Sequence, residues 1–297
     1  MRHLTRLLDF DRQALLNIIA RAEALRDGAA PKAFPDKILG LVFEKPSTRT
    51  RVSFESAAFR LGAGHIFVSS KDSQLQRGEP VKDTARVLGR YVDAVAMRTF
   101  EQSTITESAK FAGIPVINAL SDCYHPCQAV ADLLTIQRQL GRFEDFTMTY
   151  FGDGNNVFAS LAEAAALLQF RLRFCGPEGF DPDTGLMRDL KELGAEIEII
   201  REPDRAAAGA DVVYTDVWTS MGQEEETERR KKIFAPYQIN DEIIAKTASA
   251  LVLHCLPAHR GEEITDSVIE GPRSRVFEQA ENRMWAQMAI LESVWRG

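Results

Sequence analysis

Ile38-Leu39-Gly40-Leu41-Val42-Phe43-Glu44-Lys45-Pro46-Ser47-Thr48-Arg49-Thr50-Arg51-Val52-Ser53-Phe54-Glu55 is the stretch from which the fold of this chain can be read. The apolar run Ile38 to Phe43 reads as a strand, the loop Glu44-Lys45-Pro46 ends it, and Val52 to Ala58 reads as a helix. Ser47 to Arg51 therefore falls at a helix N-terminus, where unpaired backbone N–H groups and the positive end of the helix dipole face outward. Ser and Thr hydroxyls and an arginine fork add further donors to oxyanions, so the segment suits a phosphate. The same residues also read as a plain N-cap, Ser47 or Thr48, followed by solvated arginines.

Outward from this unit the alternation repeats. An amphipathic helix is predicted over Asp11 to Arg26, with Leu15, Ile18, Ile19, Ala22 and Leu25 on one face. Further strands are predicted at Ile66 to Val68, Ala94 to Met97 and Val116 to Ala119, and a helix over Ala129 to Leu140 that stops at Gly141. Successive βα steps imply a parallel sheet. The second half repeats the pattern, with strands expected at Thr147 to Phe151, Leu172 to Cys175, Ile197 to Ile200, Val212 to Tyr214, Leu251 to His254 and Val276 to Phe277. The fold class expected is α/β, with two domains, each a mostly parallel sheet flanked by helices, and an active site in the cleft between them. The domains are placed at 1–141 and 142–281, with a final helix at about 282–297 packing back on the first. Met284, Met288, Leu291 and Trp295 lie at helical spacing there and read as core.

Composition narrows the function classes. The chain has 297 residues, 45% hydrophobic and 27% charged, the balance of a globular protein of two ordinary domains. A formal charge of -7 and a pI near 5.4 oppose general attraction to nucleic acid, so any anion site must be local. No apolar run approaches a membrane span, and the charges in Met1 to Asp9 leave no signal-peptide core. Four cysteines, Cys123, Cys127, Cys175 and Cys255, are too scattered for a disulfide scaffold. Reduced thiols and a cytoplasmic location are expected.

Phe43 to Glu55 also resembles the carbamoyl phosphate motif of the aspartate and ornithine carbamoyltransferase family. The resemblance continues through Gln74 and Arg77-Gly78-Glu79-Pro80, Met97-Arg98-Thr99 and His125-Pro126-Cys127-Gln128. It extends to Gly152-Asp153-Gly154-Asn155-Asn156, Asp216-Val217-Trp218-Thr219-Ser220-Met221-Gly222, His254-Cys255-Leu256-Pro257 and Glu281-Asn282-Arg283, in the family's order along nearly the whole chain. By this resemblance Ser47, Thr48, Arg49, Thr50, Arg98 and Arg283 hold carbamoyl phosphate, with His125 and Gln128 at its carbonyl and amide. Gln74 enters a neighbouring subunit's site, which implies a homotrimer or a multiple of it. Cys255 binds the amino acid and helps accept a proton, and Leu256 offers its backbone carbonyl. Asn156, Asp216, Ser220 and Met221 map onto ornithine, because ornithine members carry Asp-x-x-x-Ser-Met-Gly and His-Cys-Leu-Pro where aspartate members have a His-Pro-Leu-Pro type block. The reaction implied moves the carbamoyl group of carbamoyl phosphate to the side-chain amine of L-ornithine, giving L-citrulline and phosphate. It needs no cofactor and no metal, and Arg49, Arg98, His125, Asp216 and Cys255 form its catalytic set.

Other readings compete. Acetylornithine or putrescine would be alternative acceptors, since only the second domain discriminates, and a silent ligand-binding protein of the same fold is a further alternative. A zinc site at Cys123-x-His125-x-Cys127 lacks a second ligand cluster. A dinucleotide fingerprint at Gly152-Asp153-Gly154 lacks its third glycine, since Val157 stands there. The charged run Gln223 to Lys232 reads as a solvated loop, and its position after Ser220-Met221-Gly222 suggests a mobile lid.

Overall fold

A computed structural model of the chain describes residues 3–69, 78–219, 226–247 and 249–296. Gln74, Ser220 and Met221 lie outside the described residues. The elements run α1 (Arg12–Arg26), β1 (Ile38–Phe43), α2 (Thr48–Arg60), β2 (Gly64–Ser69), α3 (Val81–Leu88), β3 (Ala94–Arg98), α4 (Gln102–Phe111), β4 (Val116–Leu120) and α5 (Pro126–Leu140). They continue with β5 (Thr147–Phe151), α6 (Asn156–Leu168), β6 (Arg171–Cys175), α7 (Thr184–Glu192), β7 (Ile197–Ile199), α8 (Pro203–Ala207), β8 (Val212–Thr215) and α9 (Thr227–Phe234). Then follow α10 (Asp241–Lys246), β9 (Leu251–His254), α11 (Asp266–Ile269) and α12 (Val276–Val294). The chain divides into two compact units, Met1–Leu134 with Glu281–Gly297 and Thr135–Ala280, so the division falls inside α5 and α12.

In the first unit, the parallel sheet has the order β2-β1-β3-β4. Its central strands are mostly apolar and almost wholly buried, including Leu39, Leu41 and Val42 on β1 and Ala94 to Met97 on β3. Helices cover such two-sided strands in parallel sheets. α1 starts where the Asp11 carboxylate accepts the Ala14 N–H at 2.7 Å and buries Leu15, Ile18, Ile19 and Leu25. Each of those four side chains contributes roughly 1.5–3 kcal/mol by leaving water.

The second unit carries a parallel sheet in the order β7-β6-β5-β8-β9. Tyr150, Phe158, Phe174 and Tyr214 stack or meet edge to face within it, and α6 adds a nearly continuous run of buried residues from Val157 to Ala166. The turn from β5 to α6 is tight. Gly152 adopts φ +138°, and a Cβ at Gly154 would lie 2.3 Å from the Pro182 nitrogen, so neither position tolerates a side chain without rearrangement.

Two expectations need correction. Val276 and Phe277 begin α12 rather than forming a strand, since Val276 is buried and Phe277 is 57% exposed on a helical turn. The final helix therefore starts ahead of Asn282. In the charged run, Thr227–Phe234 is a helix that buries Arg230, so its described part is not a solvated loop.

Candidate active site

In the first unit, strand order makes neighbours of distant residues. β1 and β3 are adjacent, yet the chain leaves β1 toward β2 on the other side, so their carboxyl ends flank a topological switch point, where α/β sheets bind ligands. Beyond β1, the Ser47 hydroxyl accepts the Thr50 N–H at 3.2 Å and caps α2, placing Thr48 and Arg49 in its first turn. Arg98 ends β3 and is buried. His125 lies after β4, just ahead of α5, and its carbonyl accepts the Gln128 N–H at 3.1 Å. From α12, the Arg283 guanidinium donates to Thr50 Oγ1 at 2.6 Å, so the far end of the sequence joins the helix start.

The electrostatics of this cluster follow from burial and positive charge. Burial, then the charges of Arg283, Arg98 and Arg49, hold His125 well below the ordinary imidazole value. Its ring is neutral near pH 7, so it donates one hydrogen bond without adding charge. Burial pushes the neighbouring Cys127 thiol up to about 12, although Arg283 opposes the shift. Arg49 Nε is buried without a hydrogen-bond partner among the described residues, whereas Arg51 pairs with Glu55 at 2.9 Å and lies over the Phe67 ring. Lys45 is also committed, to Asp122 and to the face of Phe100.

The second unit repeats the topology, with its switch point between β5 and β8. Asp216 follows β8 and Cys255 follows β9, and Cys255 Sγ donates to Asp216 Oδ1 at 2.9 Å. Asp216 also accepts from the Val217 N–H at 2.8 Å and from Asn155 Nδ2 at 2.9 Å. Its donors are thus neutral, and no Lys or Arg lies within ion-pair distance among the described residues. Asn155 caps α6 through the Val157 and Phe158 N–H groups, and Tyr150 donates to it at 3.1 Å. Burial, with the charges of Asp216, Cys255 and Asp153, pushes the Tyr150 phenol well up, so Tyr150 stays a donor. Asn156, expected in the site, is the first residue of α6, and its carbonyl accepts from Ser160 Oγ at 3.0 Å.

Asp216, His254 and Cys255 bring an oxygen, a nitrogen and a sulfur within 4.8 Å of one another. Both His254 nitrogens are engaged, however. Nδ1 accepts the Leu256 N–H at 2.8 Å, and Nε2 contacts Glu263 at 2.9 Å and therefore carries the proton. Leu256, at φ +58°, is held in a left-handed conformation by that bond. Arg230 forms a second brace, bonding to the Trp218 carbonyl and to Asp153 while packing on the faces of Phe180 and Phe234.

The sequence reading gave no role to Asn155, Glu263 or Arg230. Asn155 carried the signal of an N-cap ahead of a helix. Nothing marked Arg230 among the basic residues around it.

These features define an α/β enzyme in which one unit offers a cationic cradle and the other a carboxylate paired with a thiol, each at the carboxyl ends of parallel strands. Two family models match the chain: residues 2–138 match the carbamoyl-P binding domain, and residues 144–294 the Asp/Orn binding domain, of aspartate/ornithine carbamoyltransferase. The ornithine carbamoyltransferase of Gloeobacter violaceus is 52% identical over 97% of this chain and 94% of its own length. That of Archaeoglobus fulgidus is 50% identical over 98% and 96%. The structure of ornithine carbamoyltransferase from Pyrococcus furiosus superposes with a TM-score of 0.93 at 43% identity, covering 100% of this chain and 97% of the other. This chain belongs to the aspartate/ornithine carbamoyltransferase family.

Proposed function

We propose that the chain transfers the carbamoyl group of carbamoyl phosphate to the side-chain amine of L-ornithine, giving L-citrulline and phosphate. The observation that carries the acceptor's identity is the Asp216–Cys255 pair, a buried carboxylate with only neutral partners among the described residues, suited to a cationic amine. The family and the ornithine carbamoyltransferases it resembles support the same reading.

In this reading Ser47, Thr48, Arg49, Thr50 and Arg98 hold the phosphate, with Gln74 supplied by a neighbouring copy in a homotrimer. Arg283 completes the cationic end. His125 and Gln128 meet the carbamoyl group, and Cys255 and the Leu256 carbonyl belong to the same set by the resemblance. Asn156, Asp216, Ser220 and Met221 bind ornithine. The first domain, 1–141 with the C-terminal helix, takes carbamoyl phosphate, and 142–281 takes the amino acid.

An ammonium near pKa ~10 must lose a proton before it can attack. Cys255 and Asp216 take part in that transfer. The free amine adds to the carbonyl carbon, the C–O bond to phosphate breaks, and the second proton of the attacking nitrogen passes to a phosphate oxygen. Arg49, Arg98 and Arg283 stabilise the charge that develops on phosphate, and neutral His125 donates to the carbonyl oxygen. Holding both substrates in line removes the entropy cost of a bimolecular encounter. No helix among the described residues is long and apolar enough to cross a membrane, and we place the enzyme in the cytoplasm.

The test is a panel of ornithine, acetylornithine, putrescine and aspartate with carbamoyl phosphate and purified protein. Citrulline formation with ornithine preferred is the expected result, and tight binding without turnover would overturn the reading.

A further inference from the structure

Gln128 and Asp132 lie one turn apart on α5, and both side chains are essentially inaccessible, at 1% and 0% exposure. Gln128 Nε2 donates to Asp132 Oδ1 at 2.8 Å. The other end of the amide, Oε1, is buried with no hydrogen-bond partner among the described residues. An amide side chain is nearly symmetric in shape, with an oxygen that only accepts and a nitrogen that only donates. A free Gln can therefore rotate to serve either a donor or an acceptor. A carboxylate facing it removes that freedom, because an ionised Asp accepts only. Reversing the amide would set two acceptors against each other, a costly arrangement in a buried site.

We propose that Asp132 is a specificity-determining positioning residue: it locks Gln128 so that Oε1, an acceptor, faces the carbamoyl group. An acceptor there reads the –NH2 of carbamoyl phosphate and rejects an analogue that presents an acceptor in its place. The carbonyl oxygen is left to donors, His125 and the arginines. This inference rests on carbamoyl phosphate being the ligand. It adds that the discrimination between a donor and an acceptor in the amide position is set by a residue that does not itself touch the substrate.

Phosphonoacetamide and phosphonoacetate, which keep the phosphoryl group and the carbonyl but carry –NH2 or –O⁻ in the amide position, are the probes. In the wild-type protein, citrulline formation is measured with carbamoyl phosphate, and both compounds are assayed as competitive inhibitors. A buried acceptor set against the –O⁻ of phosphonoacetate should raise its Ki at least ~10-fold above that of phosphonoacetamide. In Asp132→Asn the ratio is expected to fall to within about two-fold, since an amide facing Gln128 tolerates either orientation of its partner and a reversed Gln128 donates to –O⁻, while the KM for ornithine and the Kd for inorganic phosphate are unchanged. Because a buried substitution can impair folding, the pair Gln128→Glu with Asp132→Asn is the second arm. It exchanges the two functional groups at constant charge, so that the relocated carboxylate accepts from the relocated amide and still presents an acceptor to the ligand. Restored discrimination in that pair is expected. Discrimination retained in folded Asp132→Asn, or left unrestored in the folded pair, would overturn the proposal. Absence of citrulline from the wild type would instead overturn the proposed function.

Discussion

Arg49 and Arg51 stand two apart in one motif and have different fates. Arg51 is engaged by Glu55 and the Phe67 ring, while Arg49 keeps a buried Nε without a partner among the described residues. Arg49→Ala is therefore expected to lower kcat by about 10³-fold or more, the scale of losing a donor to developing charge, whereas Arg51→Ala should change it less than roughly tenfold. Steady-state kinetics of the two variants checks this. The resemblance already put Arg49 and not Arg51 in the site; sequence alone could not tell what Arg51 pairs with instead. His125 supports a pH prediction. Its folded-state pKa lies below the ordinary value of 6.5, so as pH falls below that value the unfolded chain takes up a proton that the native ring refuses. Its burial costs nothing above pH 6.5 and progressively destabilises the fold below it. Denaturant titrations of the wild type and His125→Asn from pH ~7.5 to pH ~5 should show the smaller acid loss in the variant. An equal loss would remove His125 as the cause.

At the scale of elements, the strand readings hold wherever an apolar run feeds a helix through a turn, as at Ile38–Phe43, Ala94–Arg98 and Thr147–Phe151. Val276-Phe277 misled because an apolar pair has no period, and only the following turns reveal the helix. The charged run hid a tertiary effect. Arg230 on α9 lies between two aromatic faces and ties Asp153, in the β5–α6 turn, to the Trp218 carbonyl after β8. Burial and facing Asp216 push the Asp153 carboxyl upward, and Arg230 opposes both. Replacing Arg230 by Met should destabilise the protein by roughly 3 kcal/mol, because it strands a largely buried carboxylate. Adding Asp153→Asn should recover part of that loss, a coupling that a double-mutant cycle measures. The ornithine KM should rise in the single variant while that of carbamoyl phosphate stays nearly constant, since Asp153, Asn155 and Asp216 share one network.

For the whole molecule, composition separated a local cation cluster from an acidic chain, and order along the sequence suggested two parallel sheets. What it could not supply was which strands lie side by side. Ser47–Thr50, Arg98, His125 and Arg283 are far apart in sequence, and it is the β2-β1-β3-β4 order, with α12 against α2, that assembles them. Thiol chemistry gives a test of the assembled molecule. Cys123 is exposed, while Cys127 and Cys175 are buried, with thiols pushed up to about 12. A thiol reagent at pH ~8 should label Cys123 rapidly in the native protein and the two buried residues only on unfolding. Cys123→Ser should abolish the fast phase, and its persistence would show that another cysteine is accessible.

The reversal of strand order within each sheet has a consequence for how such a chain can change. The groups expected to meet the amine acceptor hang from the ends of β5, β8 and β9, outside the paired strands themselves. A new nucleophile can thus be recruited by rewriting a few residues past those ends, while the half that activates the carbamoyl donor is inherited intact.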